Sequence, residues 1–194
     1  MSLQTDFNVQ ILKYCGESAL SVYSVISNCV ILVNSLFTGV GQTIQLIIAT
    51  NYGAGKWERI KGIRRMSYLT ITIMGAVFSL SGIMFPLGIC GVFMEVGENI
   101  EVLAQNAIRT YFIAFLPMGI NLLSSYYLQS VLSARKSLFI SLLRNIILSS
   151  IAILTFPLMF DGSSLWFAMP IVEVAGLFVS VIFLKTTKCR TGTD

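Results

Sequence analysis

The residues best suited to chemistry in this sequence are the few charged and polar side chains that interrupt its long apolar stretches. Glu173 is the only acidic residue in any of these stretches and lies about eleven residues into the last one. A charge at the centre of a bilayer costs roughly 2.5–3.5 kcal/mol on insertion scales. Glu173 is therefore expected to face the protein interior, either as a proton-coupling carboxyl or as the ion-pair partner of Arg144.

Two arginines lie in or beside the same kind of stretch. Arg144 lies about eight residues into the fourth stretch, roughly 10–12 Å deep, from where its long side chain can also extend back to the interface. Arg109 lies at the outer start of the third stretch. The acidic segment Glu95–Glu101 could pair with it there, in an exposed contact of little energetic consequence.

Two glutamines lie near the end of the first stretch. Gln42 and Gln45 are three residues apart, so a helix presents them on one face. An unpaired amide in hydrocarbon costs several kcal/mol, so both are expected to point into the bundle. They either line a substrate cavity or form helix–helix hydrogen bonds, which average about 0.6 kcal/mol in membrane proteins.

A third polar group, Tyr126, Tyr127 and Gln129, lies towards the end of the third stretch. Tyrosines at this depth are typical of the aromatic belt at a membrane interface. Their ring faces could also form a wall that binds organic cations. Both interpretations remain open from the sequence.

Most kinds of active site require groups that this sequence lacks. It has no histidine, which removes His-based zinc motifs and imidazole general bases. No stretch offers paired carboxylates, no glycine-rich segment has phosphate-loop spacing, and the four cysteines show no metal or redox spacing. We therefore expect no enzyme, no cofactor and no metal site.

The elements that must position these residues are membrane helices. Only 11% of the 194 residues are charged, against roughly 25% in soluble domains. About 20 apolar residues suffice to cross a bilayer. Five stretches meet this length: Ser18–Gly55, Met66–Met94, Thr110–Ala134, Ser137–Phe160 and Gly162–Leu184. The predicted fold is an all-α, polytopic membrane helix bundle with five full crossings.

The charges between the stretches predict the orientation of the bundle. Basic residues lie in the loop Lys56–Arg65, at Arg135 and Lys136, and in the tail from Lys185. The intervening connections hold Glu95–Glu101 and Asp161 instead. Because positive charge stays cytoplasmic, the N-terminus is predicted outside and the C-terminus inside. Basic residues at membrane ends do not indicate a nucleic-acid partner.

The first part of the chain departs from a simple bundle. The first stretch would form about 57 Å of helix, so it should either protrude from the membrane or bend near Gly39 and Gly41. Residues 1–14 are too short to span and resemble the end of a truncated helix; a re-entrant or interfacial helix is the alternative. The expected division is 1–14, a transporter lobe over 15–185, and a cytoplasmic tail over 186–194.

One sequence motif carries a family resemblance. Gly39 to Arg59 reads GVGQTIQLIIATNYGAGKWER. It resembles the second half of the multidrug and toxic compound extrusion (MATE) family, although Leu46 stands where that family has proline. Two later segments are similar to the family in the right order: Gln129–Leu132 with Ser141–Asn145, and the last helix pair around Pro157, Trp166–Ala168, Pro170 and Glu173.

The resemblance implies a function in transport. Such a chain would be the C-terminal lobe of a cation-coupled drug antiporter in the bacterial inner membrane. The complete protein would export small organic cations in exchange for H⁺ or Na⁺, and the N-terminal lobe would be missing here. The alternatives are a lobe of a related lipid-linked oligosaccharide flippase, or a small non-transporting membrane assembly protein.

Overall fold

The computed structural model describes residues 3–94, 97–159 and 164–187, and the described chain is helical apart from short connections. Its helices are α1 (Leu3–Cys15), α2 (Glu17–Gly53), α3 (Trp57–Met84), α4 (Pro86–Phe93), α5 (Glu98–Phe112), α6 (Phe115–Ser130), α7 (Ala134–Leu142), α8 (Ser149–Met159) and α9 (Leu165–Thr186). A π-helical segment, Leu143–Leu148, joins α7 to α8.

Five helical segments of the described chain are long and apolar enough to cross a membrane. They are Glu17–Gly53, Trp57–Met84, Ile100–Ser130, Ala134–Leu158 and Leu165–Thr186. The third combines α5 and α6, and the fourth combines α7, the π-helical segment and most of α8. The predicted all-α membrane bundle with five crossings is thus confirmed.

The first crossing helix, α2, is continuous. It has 37 residues, which corresponds to about 55 Å, and it does not end at Gly39 or Gly41. Its length exceeds the roughly 30 Å hydrocarbon core of a bilayer, and the alternative of a bend near these glycines stays a prediction. Gly41 has a packing role instead, because a Cβ at this position would overlap the ring of Tyr126.

Two helix boundaries differ from those predicted. Most of the basic segment predicted as a loop is helical, since α3 begins at Trp57 and only Ala54–Lys56 connects it to α2. Long basic side chains tolerate this because their charged ends reach water from the first helical turns. The helix that contains Arg109 also begins earlier than the third stretch, since α5 starts at Glu98 and Arg109 lies in its last turn.

Of the three acidic residues expected to pair with Arg109, Glu101 is the one whose side chain the structure describes. The side chain of Arg109 is exposed, and Glu101 accepts a hydrogen bond from Gln105 at 3.2 Å. Glu95, Asp161 and the tail beyond residue 187 lie outside the described residues, as does the side chain of Glu98.

Helix α6 occupies the centre of the bundle, where it packs against α2, α3 and α9. Small residues allow this close approach. A Cβ at Gly75 of α3 would lie 2.9 Å from the Cα of Leu116 in α6. A Cβ at Gly119 of α6 would lie 3.2 Å from the side chains of Phe37 in α2 and Ile71 in α3. Helix α1 adds Phe7 and Ile11 to the same core.

Candidate functional site

The centre of the site is a buried carboxylate on α9. Glu173 is 5% exposed, and its Oε2 accepts hydrogen bonds from Arg144 Nη1 at 3.1 Å and from Asn121 Nδ2 at 2.9 Å. Asn121 Nδ2 also donates to the Glu173 backbone oxygen at 2.8 Å. On its other side, Asn121 Oδ1 accepts from Ser180 Oγ at 3.0 Å. We call these four residues the Glu173 network.

Arg144 reaches Glu173 from the π-helical segment. Ser149 Oγ donates to the Arg144 backbone oxygen at 2.8 Å. Isolated π-helical turns inside α-helices are often found at functional sites. Gly176 completes the arrangement, because its missing side chain leaves room for Asn121 and Arg144, which a Cβ would approach within 3.1–3.4 Å.

The structure therefore places Arg144 and Glu173 together, as one of the two sequence interpretations expected. Arg144 does not extend to the interface, and its side chain is only 13% exposed. The ion pair is well satisfied, since the same carboxylate oxygen accepts bonds from two neighbouring helices. With Asn121, this buried pair links α6, α9 and the π-helical segment. Removing one charge of a buried pair is strongly destabilising, because the other charge is left uncompensated.

A cavity of about 290 Å³ adjoins this network. Its lining comes from α1, α2, α5, α8, α9 and the π-helical segment: Phe7, Tyr23, Ser27, Val30, Ile31, Tyr111, Asn145, Ser149, Ile153 and Met169. Asn145 is the chain neighbour of Arg144 and accepts a 3.2 Å hydrogen bond from Arg144 Nε. A small ligand in the cavity would therefore lie one residue from the ion pair.

Helix α2 carries a line of polar side chains, which we call the polar stripe of α2. Its members follow one another at intervals of three, four or, once, seven residues, which places them on one helix face: Ser24, Asn28, Ser35, Thr38, Gln42 and Gln45. Thr38 and Gln45 are half-buried and the other four are exposed. Ile31, in register with the stripe, also lines the cavity.

The predicted glutamines have different surroundings. Gln45 Nε2 donates to Gln129 Oε1 at 3.2 Å, and Gln129 Nε2 donates to Ser137 Oγ at 2.9 Å. This chain of amides links α2 to α6 and α7 and corresponds to the helix–helix interpretation. Gln42, one turn earlier, is exposed, so it does not point into the interior of this bundle as expected.

Tyr127 does not lie with the glutamines. It is 1% exposed and packs in a cluster with Ile48, Ile60 and Val131. The Arg64 guanidinium carbon lies 5.6 Å from its ring centroid. Tyr127 thus contacts a cation with its ring face, but that cation is Arg64 of the protein and not an organic ligand. Its neighbour Tyr126 packs against Gly41, beside the polar stripe.

Sequence reasoning missed Asn121, Ser180 and the cavity residues. Asn121 was detectable in principle, because it is a primary amide in the middle of an apolar stretch and such groups require partners. The cavity gave no comparable signal, since its tyrosines, serines and aliphatic residues come from six separate segments.

Comparisons with known proteins agree on the nature of this bundle. The MatE family model matches residues 2–154. No curated protein matches the chain. An outward-facing structure of a multidrug resistance MATE family transporter of the MOP superfamily superposes with a TM-score of 0.84 and 14% identity, over 94% of this chain and 41% of that one.

A second solved structure is similar. It is a MOP superfamily transporter from Pyrococcus furiosus, for which a reverse polarity of the binding pocket suggests a different function. It superposes with a TM-score of 0.81 and 14% identity, over 94% of this chain and 41% of that one. At this identity the likeness shows the fold, and the chain spans 41% of the length of both transporters. With the family model covering most of its residues, the chain belongs to the MatE family of membrane transporters.

Proposed function

We propose that this chain forms the C-terminal lobe of a cation-coupled antiporter that exports small organic cations across the bacterial inner membrane. Its N-terminus would lie outside and its C-terminus in the cytoplasm. The observation that carries the proposal is the polar stripe of α2. Six polar side chains lie along one face of a membrane-crossing helix, and four of them are exposed in this lobe.

The stripe is distinct from the lipid-facing surface of the same helix. Leu32, Leu36 and Ile47 are 42–59% exposed on a neighbouring face and suit contact with acyl chains. Exposed amides such as those of Asn28 and Gln42 are disfavoured in hydrocarbon. The stripe therefore suits the wall of a water-filled cavity, which a second lobe would close from the other side.

The character of the stripe favours cationic cargo. Its side chains are uncharged, and the exposed carboxylate of Glu17 lies on the same face at the outer end of α2. Tyr126 adds an aromatic ring beside Gly41, and aromatic faces attract organic cations. A wall with these groups would bind an amphipathic cation although the wall itself carries no strong fixed charge.

We assign the coupling of export to the entry of H⁺ or Na⁺ to the Glu173 network. An entering H⁺ or Na⁺ that neutralises the Glu173 carboxylate would remove the partner of Arg144. The guanidinium would then bind other acceptors, and the contact between α9 and the π-helical segment would be weakened. The cavity beside Asn145 offers the approach to the pair.

The test measures energy-dependent ethidium export in efflux-deficient bacteria that express the complete two-lobed transporter containing this chain. We expect Gln42→Leu to reduce export several-fold or to change which compounds are exported. Thr43→Leu is the matched control, because Thr43 is also polar and exposed but lies off the stripe and bonds its own helix. Unchanged export of every compound by Gln42→Leu would contradict the proposal.

A second arm uses this chain alone, at a verified level in the membrane. A cavity walled by two lobes requires both, so we expect no export above the vector control. Energy-dependent export by the chain alone would show that a second lobe is not required.

A further inference from the structure

A groove lies at the basic end of the bundle, about two to three turns beyond Glu173 along α9. It encloses about 300 Å³ and is lined by Arg64 and Tyr68 of α3 and by Val181, Leu184 and Lys185 of α9. The Tyr68 hydroxyl is 2.8 Å from the Ser124 hydroxyl of α6, in a hydrogen bond that fixes this side of the groove to the neighbouring helix. Two cations therefore flank one concave site from two different helices.

These cations have no carboxylate partner in the described part of the chain, where Lys61–Glu58 and Arg144–Glu173 are the ion pairs formed. Arg64 is half-buried, and its guanidinium carbon makes a cation–π contact with the Tyr127 ring at 5.6 Å. Lys185 is exposed at the end of α9. The groove thus presents two positive charges, one of them half-buried, to an anion.

The rest of the groove is apolar. Val181 lines it and is 39% exposed, and Phe178, one turn further into the membrane on the same face of α9, is 68% exposed. A soluble anion would use the charged mouth and leave this surface uncovered. A ligand with an anionic head and an apolar tail matches both parts.

We propose that this groove binds an anionic phospholipid of the leaflet at the basic end of the bundle. The phosphodiester lies between Arg64 and Lys185, and an acyl chain follows Val181 and Phe178. Basic pockets between membrane helices on the cytoplasmic side are a recurrent way of binding anionic lipid head groups. The site is separate from the proposed transport cavity and does not depend on the transport function.

The experiment titrates the purified chain in detergent with phosphatidylglycerol and with phosphatidylcholine of the same acyl chains, and counts bound lipids by native mass spectrometry. We expect phosphatidylglycerol to bind at least ten-fold more tightly. Arg64→Gln and Lys185→Gln should each weaken its binding by about five-fold. Lys185→Gln leaves the Arg64–Tyr127 contact intact, so it tests the site even if Arg64→Gln perturbs folding.

The matched control is Arg59→Gln with Arg65→Gln. Both arginines are exposed at the same end of α3, and neither lines the groove. Their removal should change binding less than two-fold. An equal loss in the control would overturn the site in favour of general surface attraction. Displacement of the lipid by equimolar glycerol phosphate would overturn it in favour of a soluble phosphate site.

Discussion

The Glu173 carboxylate shows how one residue can serve both structure and coupling. Its Oε2 accepts bonds from Arg144 and Asn121 on two other segments, so the charge is compensated where water is scarce. Removing one member of a buried pair leaves an uncompensated charge, whereas replacing both by apolar residues is often tolerated. The stability of the network and its capacity to respond to a cation therefore have the same origin.

This asymmetry gives the first prediction. Arg144→Met and Glu173→Leu should each destabilise the lobe by about 3–5 kcal/mol, because each leaves the other charge buried and unpaired. The double variant should recover much of that loss. Thermal unfolding in detergent, followed by fluorescence-detected size exclusion, measures the three midpoints against the unmodified chain.

A second ion pair of the chain provides the comparison. Lys61 and Glu58 are 2.7 Å apart but largely exposed on α3, so water solvates either charge alone. Lys61→Ala should leave the unfolding midpoint unchanged. Strictly additive effects of the two substitutions at Arg144 and Glu173 would count against a coupled buried pair.

At the scale of the elements, the low charge content of the sequence correctly predicted the number and type of the membrane-crossing helices. Five uncharged or nearly uncharged stretches had to become crossing helices, because a bilayer offers no other partner for their backbone groups. Exact boundaries depend on local detail instead. Helix α3 begins at Trp57 among basic residues, where the ring of Tyr52 meets that of Trp57 edge-on at 5.2 Å and packs the turn.

The sequence did not predict the π-helical segment, for a related reason. Leu143–Leu148 is an apolar segment like those of ordinary helices, and nothing in its composition indicates the wider, i→i+5 hydrogen bonding of a π-helix. The same holds for Tyr127, whose place beside Arg64 depends on how α3 lies against α6. Sequence spacing fixes which residues share a face, but not which neighbour that face meets.

Helix spacing can be tested with two glycines of α3. A Cβ at Gly75 would lie 2.9 Å from the Leu116 Cα of α6, so Gly75→Ala should push the two helices apart and cost about 1–3 kcal/mol. Gly62 is exposed with no atom near its missing side chain. Gly62→Ala should be neutral or slightly stabilising, because alanine favours helix. Equal unfolding midpoints for the two variants would contradict close α3–α6 packing.

The described part of the molecule presents three different surfaces. One side carries the polar stripe of α2, a second exposes aliphatic side chains, and one end holds several of the basic residues, among them Arg64, Lys136 and Lys185. That end is common to several helices, since Lys136 Nζ donates to the hydroxyls of Thr186 and Thr187 at 3.3 and 2.8 Å and Arg64 stacks on Tyr127. Basic residues that are far apart in the sequence thus lie at one end of the folded bundle.

This arrangement gives the last prediction, the orientation in the membrane. Gly62 lies among the basic residues at the start of α3, and Gly97 lies at the start of α5 near the opposite end; both are exposed. Positive charge is retained on the cytoplasmic side. In a background without the four native cysteines, Gly97→Cys should react with a membrane-impermeant thiol reagent added to intact cells, and Gly62→Cys should react only after the membrane is opened. Strong labelling of position 62 from outside would show that the bundle has the opposite orientation. The lipid groove would then lie in the outer leaflet, where fewer anionic head groups are available to fill it.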